Sequence, residues 1–340
     1  MIPNYRNDLE NKYDLAEEIA RFYGYDKIPT TCLKGSSFGY YTKEQIFYKK
    51  IKKIMLALGL SEVMTYTFIS PKHYSKLLLN QELMCKKSVR IANPLGEDTS
   101  VMRVSAVPSM IDLLSRNFNN KNSSVSFFEI AKEYENIGKR LPLEKQKLIA
   151  GFYGDNVDFL SVKGIIEEFF NSIKIKNYDI KATKDVQYYH PGRCAEFFIN
   201  EKSIGYLGEI HPTVLENYNI KTRAYIFEFS VKDLFLNSNS DVEFIPIPKF
   251  PAVKRDLALV CDENLPVFDL KKIIIDSAGD ILEDAELFDI YIGEQIEKGK
   301  KSVAFNISLR SKESTLSEEQ VSATMKKIVK AFEKIGVKLR

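Results

Sequence analysis

A chain of 340 residues, 44% hydrophobic and 28% charged, has the composition of an ordinary globular protein of about two domains. Its 49 basic and 46 acidic residues leave a net charge of +3, so any contact with nucleic acid must come from local patches and not from an overall positive field. Cys32, Cys85, Cys194 and Cys261 include no C-x-x-C pair, the amino terminus has no signal-peptide core, and no apolar run nears the ~18 residues of a membrane span, so the chain reads as cytosolic, with reduced thiols, no zinc site and no membrane segment.

Leu15, Ile19 and Phe22 recur at helical spacing, which predicts one amphipathic helix over 14–25, ending near Gly24 and Pro29. Such a helix cannot bury its stripe alone, so residues 1–35 are expected to be the remnant of a domain whose earlier part is missing. The region 36–240 opens with Thr42-x-x-Gln45, a capping box, followed by Ile46, Ile51, Met55 and Leu58 on one side of a helix that stops at Gly59. Short β-rich stretches follow at 63–69, 89–92, 125–130, 148–153, 195–199 and 224–229, with helices expected at 109–118 and 162–173. Strands and helices in irregular order predict an α+β sheet module.

The polar run 237–241, with Pro246, Pro248 and Pro251 after it, marks a linker. Residues 241–340 then read as a strand at 256–260, a helix at 266–278 closed by Gly279, and a strand near 285–292. Val303, Phe305, Ile307 and Leu309 alternate with polar or small residues as a half-buried strand does. Ser317-x-x-Gln320 caps a helix whose stripe is Val321, Met325, Ile328, Phe332 and Ile335, and 336–340 supplies a last strand. The order βαββαβ is that of the ferredoxin-like fold.

Three stretches carry a family resemblance. Arg6-Asn7-Asp8-Leu9, with the run from Asp14 to Pro29, is similar to the end of the magnesium-site domain of the β subunit of bacterial phenylalanyl-tRNA synthetase. Asn93-Pro94-Leu95-Gly96, Met102-Arg103-Val104-Ser105, Pro108-Ser109-Met110, Phe127-Phe128-Glu129-Ile130, His190-Pro191-Gly192-Arg193 and Gly208-Glu209-Ile210-His211-Pro212 resemble its class II synthetase-like antiparallel-sheet module. The run from Pro251 to Val260, continued by Leu309-Arg310-Ser311 and Thr315-Leu316, resembles its ferredoxin-like anticodon-binding domain.

The resemblance implies a subunit that supports a catalytic α subunit in joining phenylalanine to tRNA(Phe) at the expense of ATP, within a heterotetramer. It implies a Mg²⁺ ion shared between the subunits and held by Asp8, Asp14, Glu17 and Glu18. The last three stand at i, i+3 and i+4, near one helix face. The plainer reading makes Asp14 an N-cap and Glu17 its capping-box partner, with the acids favouring the positive end of the helix dipole. Nothing corresponds to the family's tRNA-binding and editing domains, so no editing is expected.

A class II active site needs one Arg on a strand for the ATP phosphates and another after a Gly-rich strand. Around Phe127, Phe128 and Glu129 there is no Arg between Arg116 and Arg140, and after the sparse pair Gly205 and Gly208 the next is Arg223, so the chain alone is expected to be non-catalytic. His190 and His211, each next to Pro, read as turn-holding residues. Residues 298–340 hold eleven basic and four acidic residues, a surplus of seven, which fits a phosphate backbone as well as a solvated helix face. With the resemblance, RNA contact is expected there, at Arg255, Arg310 and Lys312. The alternative is a stand-alone RNA-binding or regulatory relative without an α partner.

Overall fold

The computed structural model describes residues 2–32, 35, 38–239, 244, 246–293 and 295–340, so part of the expected linker lies outside the described residues. The chain divides into two compact units, 1–241 and 242–340.

In the first unit, helix α1 (Lys12–Tyr23) buries none of its side chains, and Leu15, Ile19 and Phe22 are 54%, 63% and 82% exposed. Helix α2 (Lys43–Ala57) starts at the expected Thr42–Gln45 capping box. Its buried face is Phe47, Ile51 and Met55; the expected Ile46 points outward, because the face that meets the sheet follows the i, i+4, i+8 row from Phe47.

Strands β1 (Ser61–Glu62) and β2 (Phe68–Ile69) are two residues each, with helices α3 (Lys72–Lys76) and α4 (Gln81–Lys87) next. The expected strands at 63–69 and 89–92 are therefore largely absent. The first is replaced by irregular chain around β2, the second by one bridge, Arg90 to Val101 of β3 (Val101–Met102), which also pairs with β2. After α5 (Val107–Asn119) come the long hairpin β4 (Val125–Glu135) and β5 (Leu143–Tyr153), α6 (Phe159–Ser172), β6 (Asp179–Ala182), β7 (Tyr189–Ile199), β8 (Lys202–Ile210), α7 (Pro212–Asn217), β9 (Ala224–Ser230) and α8 (Val231–Asn237).

Seven strands form one sheet in the order β1-β4-β5-β9-β8-β7-β6, antiparallel except for β1 against β4. Period-two alternation sorts the side chains. Leu148, Ala150, Phe152, Phe197, Phe227 and Phe229 pack under α2, α6 and α8, and Ile149, Tyr153, Cys194 and Ile226 pack under α5 and α7. Burying apolar area on both faces is the main stabilising term. β8 escaped the sequence reading because Gly205 and Gly208 break its apolar pattern. Both are held small by neighbours: a Cβ on Gly205 would lie 2.0 Å from the Glu228 carbonyl oxygen, and one on Gly208 would lie 2.5 Å from the Tyr189 ring.

The second unit runs β10 (Val253–Asp262), α9 (Val267–Ala278), β11 (Leu282–Tyr291), β12 (Lys300–Leu309), α10 (Glu318–Glu333) and β13 (Lys338–Leu339). Its sheet is antiparallel in the order β11-β12-β10-β13. Val303, Phe305, Ile307 and Leu309 are fully buried against the helices, as their alternation requires. Val321, Ile328 and Phe332 of α10 meet them, and Met325 is partly buried. Ile335 is 51% exposed because the helix stops at Glu333 and Gly336 turns the chain with φ +78°.

Candidate functional site

Of the four acids of the expected magnesium site, Asp8 and Glu18 share one partner, Arg6, while Asp14 binds backbone. Asn11, not Asp14, is the N-cap of α1; Asp14 is three residues in and accepts the backbone N–H groups of Glu10 and Asn11, both at 2.8 Å. Arg6 holds two others, donating from Nη2 to Asp8 Oδ2 at 2.6 Å and to Glu18 Oε1 at 2.7 Å. Arg21 adds a bond to Glu18 Oε2 at 2.5 Å. The Arg6 guanidinium holds Asp8 down to about 2, and Arg6 and then Arg21 lower Glu18. Glu17 is exposed. Among the described residues no three acids, cysteines or histidines converge as a cation cage. In this arrangement the residues do not by themselves fit a divalent ion, since a guanidinium stands where Asp8 and Glu18 converge.

On the sheet, β4 carries the groups that sequence reasoning missed. Arg103, from the loop after β3, is 2% exposed and ends on Glu129 of β4, with Nη2 2.9 Å from Oε1. Its Nη1 donates to Thr65 Oγ1 at 2.7 Å and its Nε to the Lys132 carbonyl at 2.9 Å, while Thr65 donates to Glu129 Oε2 at 2.6 Å. An arginine does reach the strand of Phe127 to Glu129, but it is sealed in, with each of its three nitrogens bonded to protein. The signals in the sequence are an Arg flanked by Met102 and Val104 and the place of Arg103 and Glu129 in two of the segments that carry the resemblance.

Farther along the same face, Glu133 accepts the Ala106 N–H at 2.9 Å, beside the start of α5. Burial first, then the negative charge of Glu228, push its carboxyl up to about 7. Glu228 accepts Tyr188 Oη at 2.6 Å, and the buried Tyr189 hydroxyl has no hydrogen-bond partner among the described residues. His190 and His211 hold turns as expected: His190 Nδ1 accepts the Gly192 N–H at 3.0 Å, and His211 caps α7 by accepting the Thr213 N–H at 3.2 Å.

In the second unit, two of the three expected RNA contacts are engaged within the unit. Arg255 Nη2 lies 2.8 Å from both oxygens of Glu318, and Arg310 bonds Glu283 Oε1 at 3.0 Å and the Phe250 carbonyl. Lys312 is exposed. So are Lys326, Lys327 and Lys330 of α10 and Lys334 at its C-cap, on the side away from the buried stripe Val321, Thr324, Ile328 and Phe332. The spacing of that stripe was the signal that separates these lysines from the core.

Comparison with known proteins places this geometry. A model described as the phenylalanyl tRNA synthetase beta chain CLM domain matches residues 28–231, which hold the seven-stranded sheet. The chain belongs to the phenylalanyl-tRNA synthetase β-chain family. A ferredoxin-fold anticodon binding domain matches 248–340 and a tRNA synthetase B5 domain matches 1–25. The phenylalanine–tRNA ligase beta subunit of Clostridium tetani is 41% identical over 343 residues, covering 100% of this chain and 43% of that protein. That of Carboxydothermus hydrogenoformans is 37% identical, covering 100% of this chain and 44% of the relative. This β-chain family member thus spans under half the length of the curated relatives it matches. A pyrrolysyl-tRNA synthetase structure from Desulfitobacterium hafniense overlays 57% of this chain and 68% of that chain at 14% identity and a TM-score of 0.48.

Within the family, the α+β reading holds for both units, and the second is a ferredoxin-fold anticodon-binding domain. No helix among the described residues is long and apolar enough to cross a membrane.

Proposed function

We propose that this chain acts as part of a β subunit of a phenylalanine–tRNA ligase in the cytoplasm, supporting a catalytic α subunit that attaches phenylalanine to tRNA(Phe) with ATP. The observation that carries the reading is the order of matches along one chain: B5, then the β-chain module, then the anticodon-binding domain. In this reading residues 36–240 are a class II module kept as a scaffold. Arg103 supports that role, because a guanidinium closed inside the protein by Glu129, Thr65 and Lys132 is not available to the phosphates of ATP. The second unit contacts tRNA through Lys312 and the lysines of α10, with Arg255 and Arg310 available only if their partners Glu318 and Glu283 let go.

Residues 1–35 belong, in this reading, to the magnesium-site domain. Because Arg6 occupies Asp8 and Glu18, a Mg²⁺ ion shared with the α subunit would require that cation to move aside. The test is co-expression with an α subunit of the same family. The chain is expected to co-purify with it, and phenylalanine-dependent pyrophosphate exchange is expected only when α is present. Exchange by this chain alone, abolished by changing its own residues, sinks the scaffold reading; recovery free of α at every Mg²⁺ concentration favours a stand-alone RNA-binding protein.

A further inference from the structure

Where the sheet end of β7, β8 and β9 meets α7, an open cleft of about 630 Å³ is lined by His190, Arg193, Glu209, Lys221, Thr222 and Arg223, among others. Its floor is Glu209, 3% exposed. Arg193 Nη1 donates to Glu209 Oε1 at 2.8 Å and Tyr225 Oη donates to Oε2 at 3.0 Å, while Arg223 Nε stands 3.9 Å from Oε1. A carboxylate taken this far from water needs cations to hold it. Here it draws two guanidiniums toward one point, yet the side chains of Arg193 and Arg223 remain 43% and 67% exposed. β7 is irregular between Tyr189 and Cys194, and an irregularity of this kind re-aims side chains such as Arg193.

Each guanidinium has five N–H donors, and Arg223 also faces the Tyr225 hydroxyl, so the donors that Glu209 and Tyr225 do not take are those open to a ligand in the cleft. Lys221 adds a third cation, against one further carboxylate, Glu216, on the exposed rim. We propose that this cleft takes a phosphate group of an RNA backbone, giving the first unit its own phosphate contact. Two forks converging from different directions, with an ammonium beside them, suit the tetrahedral oxygens of a phosphate; the two oxygens of a carboxylate are already matched by one fork. The phosphate chemistry stands on the cleft alone, whereas RNA as its source rests on the proposed function. Glu209 is then a positioning residue.

The experiment uses the full chain and a fluorescein-labelled tRNA(Phe) transcript, with anisotropy read across a salt series. Lys221→Ala/Arg223→Gln leaves the Arg193–Glu209–Tyr225 arrangement in place. It is expected to weaken binding about tenfold and to flatten the slope of log K against log salt by about one to two. An affinity and slope equal to those of the unaltered chain overturn the proposal. Lys326→Ala/Lys327→Ala/Lys330→Ala tests the second unit separately: if only that variant weakens binding, the anticodon-domain reading stands and this one fails, and the converse result separates them the other way.

Glu209→Gln removes a negative charge, so charge counting alone expects tighter binding, and a positioning role expects weaker binding. Tightening therefore overturns the positioning role. Inorganic phosphate at matched ionic strength is expected to displace the transcript from the unaltered chain more readily than from Lys221→Ala/Arg223→Gln. If instead a poly-glutamate peptide binds in a way the double variant abolishes, while tRNA affinity is unmoved by it, the cleft is a protein-docking site and the RNA assignment is wrong.

Discussion

Arg103 and Glu129 form a buried ion pair across 26 residues of sequence, 2.9 Å from Nη2 to Oε1, with 2% and 7% of their side chains exposed. The pair ties the loop after β3 to a central strand, and Thr65 closes the network on both partners. Breaking a buried pair strands the remaining charge, so Arg103→Met is expected to cost about 3–5 kcal/mol. Arg103→Met/Glu129→Leu is expected to cost less than Arg103→Met alone, because no charge is left behind. Since the chain has no Trp, hydrogen exchange at β4 and β5 amides in urea is the readout, and it keeps the two units apart. A double variant as costly as the sum of the singles would show that packing, not charge, dominates.

Glu133 sets a pH dependence. Its folded carboxyl titrates at about 7, above the ordinary 4.5, because burial and then Glu228 disfavour its charge, while Lys147, the Ala106 N–H and Arg103 offset only part of this. A folded state that holds its proton more tightly than the unfolded one is favoured in acid: the contribution is complete below about pH 4.5 and is lost as pH rises through 7. The first unit should therefore lose on the order of 1–3 kcal/mol across that window from this group. Glu133→Gln should flatten the melting temperature against pH, and an unchanged profile would remove Glu133 as its cause.

Among the glycines of the sheet, Gly205 leaves the least room for a side chain. An alanine Cβ there would meet the Glu228 carbonyl oxygen at 2.0 Å and the Phe229 ring at 2.4 Å, and neither a strand backbone nor a core ring can give way cheaply. Gly205→Ala is expected to destabilise by about 3 kcal/mol or more. Gly164 in α6 is the contrast: its Cβ would meet nothing within 4 Å. Gly164→Ala should stabilise by about 0.5–1 kcal/mol. Thermal melts of the two variants check both, and similar shifts would contradict the geometry.

Glu17 and Glu18 test the proposed shared ion. α1 is exposed, so Glu17→Ala/Glu18→Ala is expected to leave the melting temperature of the chain almost unchanged. The same variant should lose magnesium-stimulated assembly with an α subunit, and Arg6→Ala, which frees Asp8 and leaves Glu18 paired only with Arg21, should lower the Mg²⁺ concentration that assembly needs. Normal, magnesium-independent assembly of the double variant returns these acids to pairing with Arg6 and Arg21.

The second unit was legible in the amino-acid order because its signals are local: the Ser317–Gln320 cap, the Val303–Leu309 alternation and the stop at Gly279 all act within a few residues. The Thr42–Gln45 box, the hairpin β4–β5 and the turn-holding roles of His190 and His211 were legible for the same reason. What the tertiary structure alone decided involves partners far apart in the chain. β8 depends on glycines whose smallness is imposed by β9 and Tyr189, and the apolar runs at 63–69 and 89–92 stay mostly irregular. Arg255 and Arg310 look like free cations in the sequence, yet Glu318 and Glu283, 63 and 27 residues away, take them up. Arg103 shows no periodic signal and becomes the most deeply placed cation among the described residues of the first unit. Helix caps and side-chain alternation are set by neighbours along the backbone, whereas a charge finds its counter-charge only once the sheet has brought distant strands to within 3 Å of each other's side chains.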